Sequence, residues 1–280
     1  MKTVAAITEM QALARDWRRQ AKRIGLVPTM GYLHAGHLSL VRVAREHQAA
    51  VVVVSIFVNP TQFGPAEDLA TYPRDFERDS ALCREAGVEA IFHPAPAEMY
   101  APDFSTWVTE EKLSGPLCGA SRPGHFRGVA TVVAKLFNAV LPDVAVFGRK
   151  DAQQALVIQR LVRDLNFPVE IVVAPTVREA DGLAMSSRNV HLSADERRRA
   201  AAITRGLRKA EAVYAGGEQR AAALCGLVRA EIEAAGGRID YVELRSRQTL
   251  QALPLVTDPG VLAVAAFFGK TRLIDNAFLG

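Results

Sequence analysis

Up to residue 175 the chain alternates short apolar segments with longer amphipathic segments, and this alternation constrains the fold more than any other feature. The segment 49–58 is rich in valine and isoleucine, which is typical of a central strand in a parallel sheet. In the segment 129–140, apolar residues recur at the spacing of one helix face. Strands that alternate with helices predict a parallel sheet joined by right-handed crossovers.

The same patterns predict the remaining elements of the chain. The predicted strands of this first part are 23–28, 49–58, 88–92, 144–147 and 169–174. The predicted helices are 38–47, 75–87, 129–140 and 155–165, and the proline- and glycine-rich segment 93–125 predicts an irregular excursion. After Pro175 the pattern predicts helices at 193–214 and 218–235 and strands at 239–244, 261–268 and 272–275. We therefore predict an α/β domain at 1–176 and a smaller α+β domain at 177–280.

Composition and charge exclude several classes of protein. Of the 280 residues, 49% are hydrophobic and 23% are charged, a globular mixture that excludes intrinsic disorder, collagen and coiled coil as the main architecture. The formal net charge of +4 is small and is scattered apart from the arginine run 197–199. A nucleic-acid binder is therefore disfavoured, whereas small anionic ligands remain compatible.

Hydrophobicity and cysteine usage indicate a reducing compartment. The longest aliphatic stretch is too short to span a bilayer as a helix, and Glu9 lies where a secretory signal would still be apolar. The three cysteines, Cys83, Cys118 and Cys225, are far apart and form no CxxC pair, which disfavours a zinc ribbon and a disulfide framework. We therefore expect a cytoplasmic protein.

The first strand-to-helix turn, 28–37, carries the first candidate site. His34 and His37 are three residues apart at the start of a predicted helix, with Gly36 between them. A helix N-terminus attracts anions through its N–H groups and its dipole, and imidazoles there can donate hydrogen bonds to phosphate oxygens. Two other interpretations are open: the histidines only cap the helix, or they bind zinc, although no HExxH pattern or nearby third ligand accompanies them.

Three further polar turns follow predicted strands and should lie at the same edge of the sheet. They contain Asn59 with Gln62, the segment 148–151 with Gln154, and the hydroxyl and guanidinium groups of 186–188. Each alone has a simpler interpretation, as turn chemistry, a solvated charged turn or a polar linker. Their recurrence at one edge favours a binding site. The chain has no GxxxxGK[ST] or GxGxxG motif, which disfavours P-loop kinases and dinucleotide dehydrogenases.

Several long motifs resemble the pantoate–β-alanine ligase family. They are VPTMGYLHAGHLSLV, SIFVNPTQFG, DLATYPRDFERD, FGRKDAQQ, PTVREADGLAMSSRN, DYVEL and GKTRLIDN, and they occur in order over nearly the whole chain. The resemblance implies a Rossmann-like, nucleotidyltransferase-type parallel-sheet domain, related to class I aminoacyl-tRNA synthetases, followed by a smaller α+β C-terminal domain. It also implies a cytoplasmic homodimer that uses ATP and Mg²⁺ to join pantoate and β-alanine through pantoyl adenylate.

The resemblance also implies roles for individual residues. His37 is expected to be the proton donor, with His34 and Lys150 as catalytic contacts to phosphate, and Asp79 is the candidate magnesium contact. Gln62 and Gln154 are expected to hold pantoate. The expected ATP-binding residues are Met30, Gly31, Tyr32, Leu33, His34, Ala35, Gly36, His37, Gly148, Arg149, Lys150, Asp151, Val177, Met185, Ser186, Ser187 and Arg188.

Two other functions are compatible with parts of the sequence. A nucleotidylyltransferase that transfers AMP or CMP to a small acceptor would share the HxGH turn, but Gln62 and Gln154 favour the ligase. A non-catalytic RNA-binding module would need a basic strip, and the run 197–199 is the only indication of one.

Overall fold

The computed structural model describes residues 1–65 and 67–280, and these form two compact units. The chain passes between the units several times, and its last passage, between Pro175 and Thr176, lies beside the predicted boundary. The division into domains at 1–176 and 177–280 stays a prediction. The first unit comprises Met1–Glu111, Arg122–Arg149 and Val157–Pro175, and the second comprises Lys112–Ser121, Lys150–Leu156 and Thr176–Gly280.

A six-stranded sheet forms the centre of the first unit. Every neighbouring pair of strands is parallel, as predicted from the alternation of strands and helices. The order across the sheet is β1-β4-β3-β2-β5-β6. The strands are β1 (Lys2–Val4), β2 (Ile24–Thr29), β3 (Val51–Ile56), β4 (Ala90–Phe92), β5 (Val144–Gly148) and β6 (Glu170–Ala174).

Helices cover this sheet, and the central strand is enclosed on both sides. All six residues of β3 are buried, which explains its run of β-branched side chains, interrupted only by Ser55. One part of the core joins Leu40 and Ala44 to Val54 and Cys83. The helices of the first unit are α1 (Ile7–Arg19), α2 (Ala35–Glu46), α3 (Phe76–Glu85), α4 (Pro96–Met99) and α6 (His125–Val140). Helix α5 (Cys118–Ser121) belongs to the second unit, and α7 (Ala152–Asp164) begins in the second unit and ends in the first.

The second unit contains a three-stranded antiparallel sheet with helices packed against it. Its core includes Leu207 from the first long helix, Val228 from the next helix and Leu262 from the central strand. The strand order is β7-β8-β9. The elements are α8 (Ala194–Ala200), α9 (Ala202–Ala215), α10 (Ala221–Ala234), β7 (Arg238–Ser246), β8 (Gly260–Phe268) and β9 (Thr271–Leu279).

Some predicted elements differ from those observed. The helix predicted at 193–214 is wrong as a single element, because α8 ends before Ala201 and α9 begins after it. At Ala201 the ψ angle is −13°, well away from the usual helical value, which interrupts the regular ladder. The predicted elements do not include β1 and α1, although the buried residues Met10, Ala14 and Trp17 of α1 recur at helical spacing.

No helix within residues 1–65 and 67–280 combines the length and the apolar character needed to cross a membrane.

The contact between α9 and α10 gives a test of the packing in the second unit. A Cβ atom at Gly206 would lie 2.9 Å from Val228 Cα, whereas one at Gly226 would meet nothing within 4 Å. Gly206→Ala should therefore lower the free energy of unfolding by about 1–3 kcal/mol, since overpacking outweighs the gain in helix propensity. The control Gly226→Ala should raise it by about 0.5–1 kcal/mol. Chemical denaturation measures both, and a Gly206→Ala variant as stable as the parent would contradict the packing.

Candidate active site

The turn between β2 and α2 has an unusual backbone conformation. Gly31 has a φ of +85° and Tyr32 a φ of +51°, so two successive residues occupy the left-handed region. A Cβ atom at Gly31 would also lie 3.1 Å from Asp79 Oδ2, so the position needs glycine for close packing. At the start of the turn, the Thr29 hydroxyl accepts the Gly31 N–H at 3.2 Å and donates to the Ser55 carbonyl oxygen at 2.7 Å.

Asp79 of α3 fastens this turn to the neighbouring helix. Its side chain is buried, and its Oδ2 and Oδ1 atoms accept the backbone N–H groups of Tyr32 at 2.6 Å and Leu33 at 2.7 Å. The Arg78 guanidinium is more distant, at 3.7 Å from Oδ1. Burial raises the pKa of Asp79, and the hydrogen bonds from Leu33 and Tyr32 oppose that rise without cancelling it. Both carboxylate oxygens are thus engaged by the backbone of the turn.

His34 and His37 lie in the first turn of α2, where His34 is the N-terminal cap. The Nδ1 atom of His34 accepts the Gly36 N–H at 3.1 Å, and the Nδ1 atom of His37 accepts the His34 N–H at 3.4 Å. The centroids of the two rings are 4.0 Å apart. This reciprocal capping explains why α2 begins at Ala35, three residues before the predicted start at residue 38.

These hydrogen bonds determine which nitrogen of each imidazole carries the proton. A neutral imidazole has one donor and one acceptor nitrogen, and Nδ1 is already the acceptor in both His34 and His37. Each neutral ring therefore carries its proton on Nε2 and offers an N–H donor there. Two such donors at the positive end of the α2 dipole make a local environment that favours an anion.

Gln62 ends a short 3-10 turn, Pro60–Gln62, that follows β3 at the same edge of the sheet. Its Nε2 atom donates to Met30 Sδ at 3.2 Å. The structure therefore brings Gln62 to the turn that carries the two histidines, as expected for the carboxyl ends of neighbouring parallel strands.

Asn59, which is 1% exposed, determines the orientation of the Gln62 amide. Its Oδ1 atom accepts hydrogen bonds from the hydroxyl groups of Thr61 at 2.9 Å and Tyr100 at 2.8 Å. Its Nδ2 atom donates to the Gly128 carbonyl oxygen at 3.2 Å and to Gln62 Oε1 at 3.1 Å. Because Oε1 of Gln62 is the acceptor, the other end of that amide is the donor end.

The backbone of Gln62 is held by the segment that leads into α6. Its carbonyl oxygen accepts from His125 Nδ1 at 2.9 Å and from the Arg122 guanidinium at 3.3 Å. Arg122 also pairs with Glu67, with Nη2 and Oε2 2.5 Å apart. Burial raises the pKa of Glu67, but the hydrogen bond and charge of Arg122 outweigh burial, so the pKa is lowered overall. The position of Gln62 thus depends on both its side chain and its backbone.

In the second unit, two neighbouring glutamines of α7 have different surroundings. Gln153 is buried, and its Oε1 atom accepts the Cys118 N–H at 3.0 Å. Its Nε2 atom donates to the carbonyl oxygens of Leu113 at 2.8 Å and Pro116 at 2.7 Å. Gln154 is only partly buried. Gln153 therefore holds a loop of its own unit, and Gln154 stays the predicted substrate-binding glutamine.

The predicted phosphate-binding segment 185–188 belongs to a loop anchored within the second unit. Arg178 pairs with the buried Asp275 through two bonds, Nη1 to Oδ2 at 2.6 Å and Nη2 to Oδ1 at 3.1 Å. Arg197 pairs with Glu179 at 2.8 Å. Because charge-assisted pairs of this kind are directional, the two arginines define the base of the loop.

The predicted site residues are divided between the units, and their roles in binding stay predictions. The segment 30–37, Gln62, Asp79, Gly148 and Arg149 lie in the first unit. The remaining residues, which lie in the second unit, are Lys150, Asp151, Gln154, Val177, Met185, Ser186, Ser187 and Arg188.

Sequence reasoning missed what Asn59, Tyr100 and the backbone partners of Asp79 do in the first unit. Tyr100 reaches Asn59 across 41 residues, and Asp79 reaches Tyr32 across 47. No local spacing rule reports such pairs. The polar Asn59, just after a strand in which Ser55 is the one polar residue, was an available signal, since buried polar groups need hydrogen-bond partners.

The part of the chain that the structure describes contains no group of three or more histidine, cysteine, aspartate or glutamate side chains that could hold a metal ion. Asp79, the predicted magnesium contact, has each carboxylate oxygen engaged by a backbone N–H. The described side chains therefore do not fit a protein cage for Mg²⁺. An ion that binds mainly through substrate phosphates needs no such cage. The contact between Asp79 and magnesium stays a prediction.

Comparisons of sequence find relatives over the whole length of the chain. A profile of the family described as pantoate-beta-alanine ligase matches residues 2–278. Pantothenate synthetase 1 of Bradyrhizobium diazoefficiens is 56% identical over 280 residues, covering 100% of this chain and 98% of that protein. Pantothenate synthetase of Thermotoga neapolitana is 54% identical over 281 residues, covering 100% of both chains.

Comparisons of structure agree with those of sequence. The crystal structure of pantothenate synthetase from Thermus thermophilus has a TM-score of 0.93 and 47% identity, and covers 99% of each chain. Pantoate-beta-alanine ligase from Francisella tularensis, complexed with beta-gamma ATP and beta-alanine, has a TM-score of 0.83 and 33% identity. That match covers 99% of this chain and 97% of the Francisella chain. The predicted fold class, a nucleotidyltransferase-type parallel-sheet domain with a smaller α+β part, is confirmed.

The hydrogen bonds of the histidines predict two different tautomers in one protein. His34 and His37 should carry the proton on Nε2, because Nδ1 of each accepts a backbone N–H. His93 and His125 should carry it on Nδ1, because that atom lies 2.6 Å and 2.9 Å from a carbonyl oxygen, which can only accept. Long-range ¹H–¹⁵N NMR spectra of ¹⁵N-histidine-labelled protein distinguish the tautomers, and His93 and His125 are the internal controls. An Nδ1–H form of neutral His34 or His37 would contradict the capping geometry.

Proposed function

This chain belongs to the pantoate-beta-alanine ligase family, and from that membership we propose that it joins pantoate to beta-alanine at the expense of ATP. The family expected from the sequence motifs is confirmed, and the chain is an ATP-dependent ligase that forms a C–N bond. The observation that carries the proposal is the family match over residues 2–278. The relative from Francisella, which is complexed with beta-gamma ATP and beta-alanine, supports it.

The reaction consists of two steps. A carboxylate oxygen of pantoate attacks the α-phosphorus of ATP. The bond from that phosphorus to the oxygen that bridges it to the β-phosphorus breaks, pyrophosphate departs, and pantoyl adenylate is formed. The amine of beta-alanine then attacks the acyl carbon, the acyl–oxygen bond breaks, and AMP leaves. The amine loses a proton as the amide of pantothenate forms. Neither step needs a covalent bond to the protein, unlike nucleophilic catalysis.

His34 and His37 are proposed to bind the phosphates and to stabilise the charge that develops during adenylation. Both rings are held by their Nδ1 atoms, so their Nε2–H donors need no reorientation when negative charge builds up. The N-terminus of α2 adds backbone N–H groups and a favourable dipole. His37 is the proposed proton donor. Lys150 is the third proposed catalytic residue, as a cation for phosphate.

Gln62 is proposed to hold pantoate through the donor end of its amide. Asn59 occupies Gln62 Oε1, so the Nε2 end is the one that can donate to an oxygen of the acid. The Met30 sulfur, its acceptor in this structure, is a weak one that a stronger oxygen acceptor could replace. Gln154 is the second proposed pantoate residue. A pocket built on amides suits a neutral hydroxyl and a carboxylate better than a phosphorylated acceptor.

The remaining nucleotide-binding residues are proposals from the family motifs. In the first unit they are Gly148 and Arg149, with the turn residues 30–37. In the second unit they are Asp151 for the ribose, Val177 for adenine and the segment 185–188 for the phosphates. The anchoring of that last segment by Arg178 and Asp275 supports a defined loop rather than a random linker.

Magnesium is proposed to arrive with the phosphates of ATP. Protein-bound Mg²⁺ commonly keeps waters and is held by one or two carboxylates together with substrate phosphates. The described side chains form no cage for this ion, and the roles proposed above belong to side chains of the protein. A homodimer and a cytoplasmic location are further proposals from the family resemblance, and light scattering of the purified protein tests the first.

Isotope exchange tests the first step. Labelled pyrophosphate should enter ATP only when pantoate is present, because exchange requires reversible formation of pantoyl adenylate. As a control, His37→Ala should reduce the exchange rate by about 100-fold or more, the scale of losing one preorganised donor. Exchange that does not depend on pantoate, or a stable nucleotidyl product, would reject the ligase and favour a nucleotidylyltransferase.

Asn59→Asp tests the orientation of the Gln62 amide. The new carboxylate cannot donate to Gln62 Oε1, so the glutamine should turn its Nε2 inward and its oxygen toward the acid. The KM for pantoate should rise by about tenfold, and the KM for ATP should change little, since one hydrogen bond becomes unfavourable. Asn138→Asp, at an exposed position of α6, is the control for the added charge. A raised KM for ATP alone would refute the pantoate role of Gln62.

A further inference from the structure

A buried carboxylate in α3 has no part in the steps described above. Asp79 is 1% exposed, and its two oxygens accept the N–H groups of two consecutive residues, Tyr32 at 2.6 Å and Leu33 at 2.7 Å. These distances are shorter than the 3.7 Å to the Arg78 guanidinium. Burying a carboxylate is unfavourable unless strong partners compensate it, and here the strong partners belong to the turn between β2 and α2.

The turn needs an external partner to hold its shape. Tyr32 has a φ of +51°, which is unfavourable for a residue with a side chain, and it follows Gly31 at +85°. Successive N–H groups in such turns converge to form a concave anion site, and the Asp79 carboxylate fills this one from within the protein. The Arg78 guanidinium lies 5.1 Å from the centroid of the Tyr32 ring, so α3 contacts the turn through a second side chain.

We propose that Asp79 is a positioning residue for His34 and His37, acting as an internal anion that holds the turn before α2. The proposal rests on the proposed function of the two histidines. Leu33, whose N–H Asp79 accepts, immediately precedes the capping residue His34, and the His34 N–H holds the His37 ring. A change at Asp79 therefore reaches both imidazoles through the backbone.

This role differs from that of a magnesium ligand in what it predicts. A ligand supplies an oxygen to the ion, so its loss raises the Mg²⁺ concentration needed for half-maximal rate. A positioning residue holds the His34 and His37 donors in place. Its loss therefore lowers the rate at saturating Mg²⁺ and leaves the half-saturating Mg²⁺ concentration unchanged.

The test compares Asp79→Asn with Asp75→Asn in the full chain. In Asp79→Asn one acceptor oxygen becomes an NH₂ group that faces a backbone N–H. Its kcat for pantoate-dependent exchange should fall by about 100-fold, the scale of a small misplacement of catalytic groups. The KM for pantoate and the half-saturating Mg²⁺ concentration should stay unchanged. Asp75 caps α3 by accepting the Arg78 N–H at 3.0 Å, and asparagine caps equally well, so Asp75→Asn should behave as the parent.

Two kinetic results would overturn the proposal: normal turnover of Asp79→Asn, or turnover of Asp79→Asn that becomes normal only when the Mg²⁺ concentration is raised. Spectra of ¹⁵N-labelled histidine add a signature that general destabilisation does not produce. In folded Asp79→Asn the Nε2–H resonances of His34 and His37 should shift, while the Nδ1–H resonance of His93 keeps its position. Unshifted resonances of His34 and His37 would also overturn it.

A measurement on the parent protein keeps the proposal testable where Asp79→Asn does not fold. The amide protons of Tyr32 and Leu33 should exchange slowly with solvent, because a buried carboxylate accepts both. Rapid exchange of these two amide protons would contradict the proposal that Asp79 holds the turn. Amide exchange and the histidine spectra need no substrate, so they test the positioning role of Asp79 alone. The ligase assignment is tested separately, by the pantoate-dependent pyrophosphate exchange of the parent protein.

Discussion

The parallel alignment of β2 and β3 is the constraint on which the candidate site of the first unit depends. Their register runs from Ile24 beside Val51 to Thr29 beside Ile56, so the two strands end at the same level. The chain must leave both strands at one edge, and the turns that follow start side by side. The contact between Gln62 and Met30 is a consequence of that register, and a shift of one strand by one residue would turn its side chains to the opposite face of the sheet.

Within this frame, neighbouring groups determine the hydrogen-bonding character of each proposed functional side chain. The Gly128 carbonyl oxygen can only accept, so it obliges Asn59 to turn its Nδ2 donor inward, and Asn59 in turn obliges the outer end of the Gln62 amide to donate. Backbone N–H groups oblige both imidazoles to carry their protons on Nε2. The first unit therefore presents donors whose identity is set before any ligand binds. This suits a reaction in which negative charge develops on phosphate oxygens.

Features of this protein could be predicted from its sequence when the residues that determine them are close together in the chain, and could not be predicted when those residues are far apart. The valine run of β3 was predicted because burial on both faces leaves a continuous local pattern. The start of α2 was placed too late because histidine is an uncommon cap, and its capping partners are visible only in the folded turn. The partner of Asp79 was not predictable, because the residues it binds are 46 and 47 positions away. The family was identified from motifs in the sequence, whereas the hydrogen-bond partners of the site residues were identified from the structure.

The chemistry of the cysteines agrees with a reaction in which the substrates provide the nucleophiles. Cys83, Cys118 and Cys225 are all buried. Burial, followed by the charge of Asp79, raises the pKa of Cys83 to about 12, and burial raises the pKa of Cys225. A thiol is a weak nucleophile when its thiolate is disfavoured, so these two are structural side chains at neutral pH. In the ligase reaction a carboxylate and an amine of the substrates attack in turn. What the protein must contribute is a set of donors held in place, and the carboxylate of Asp79, which is buried with the Cys83 thiol, holds the turn that carries two of them.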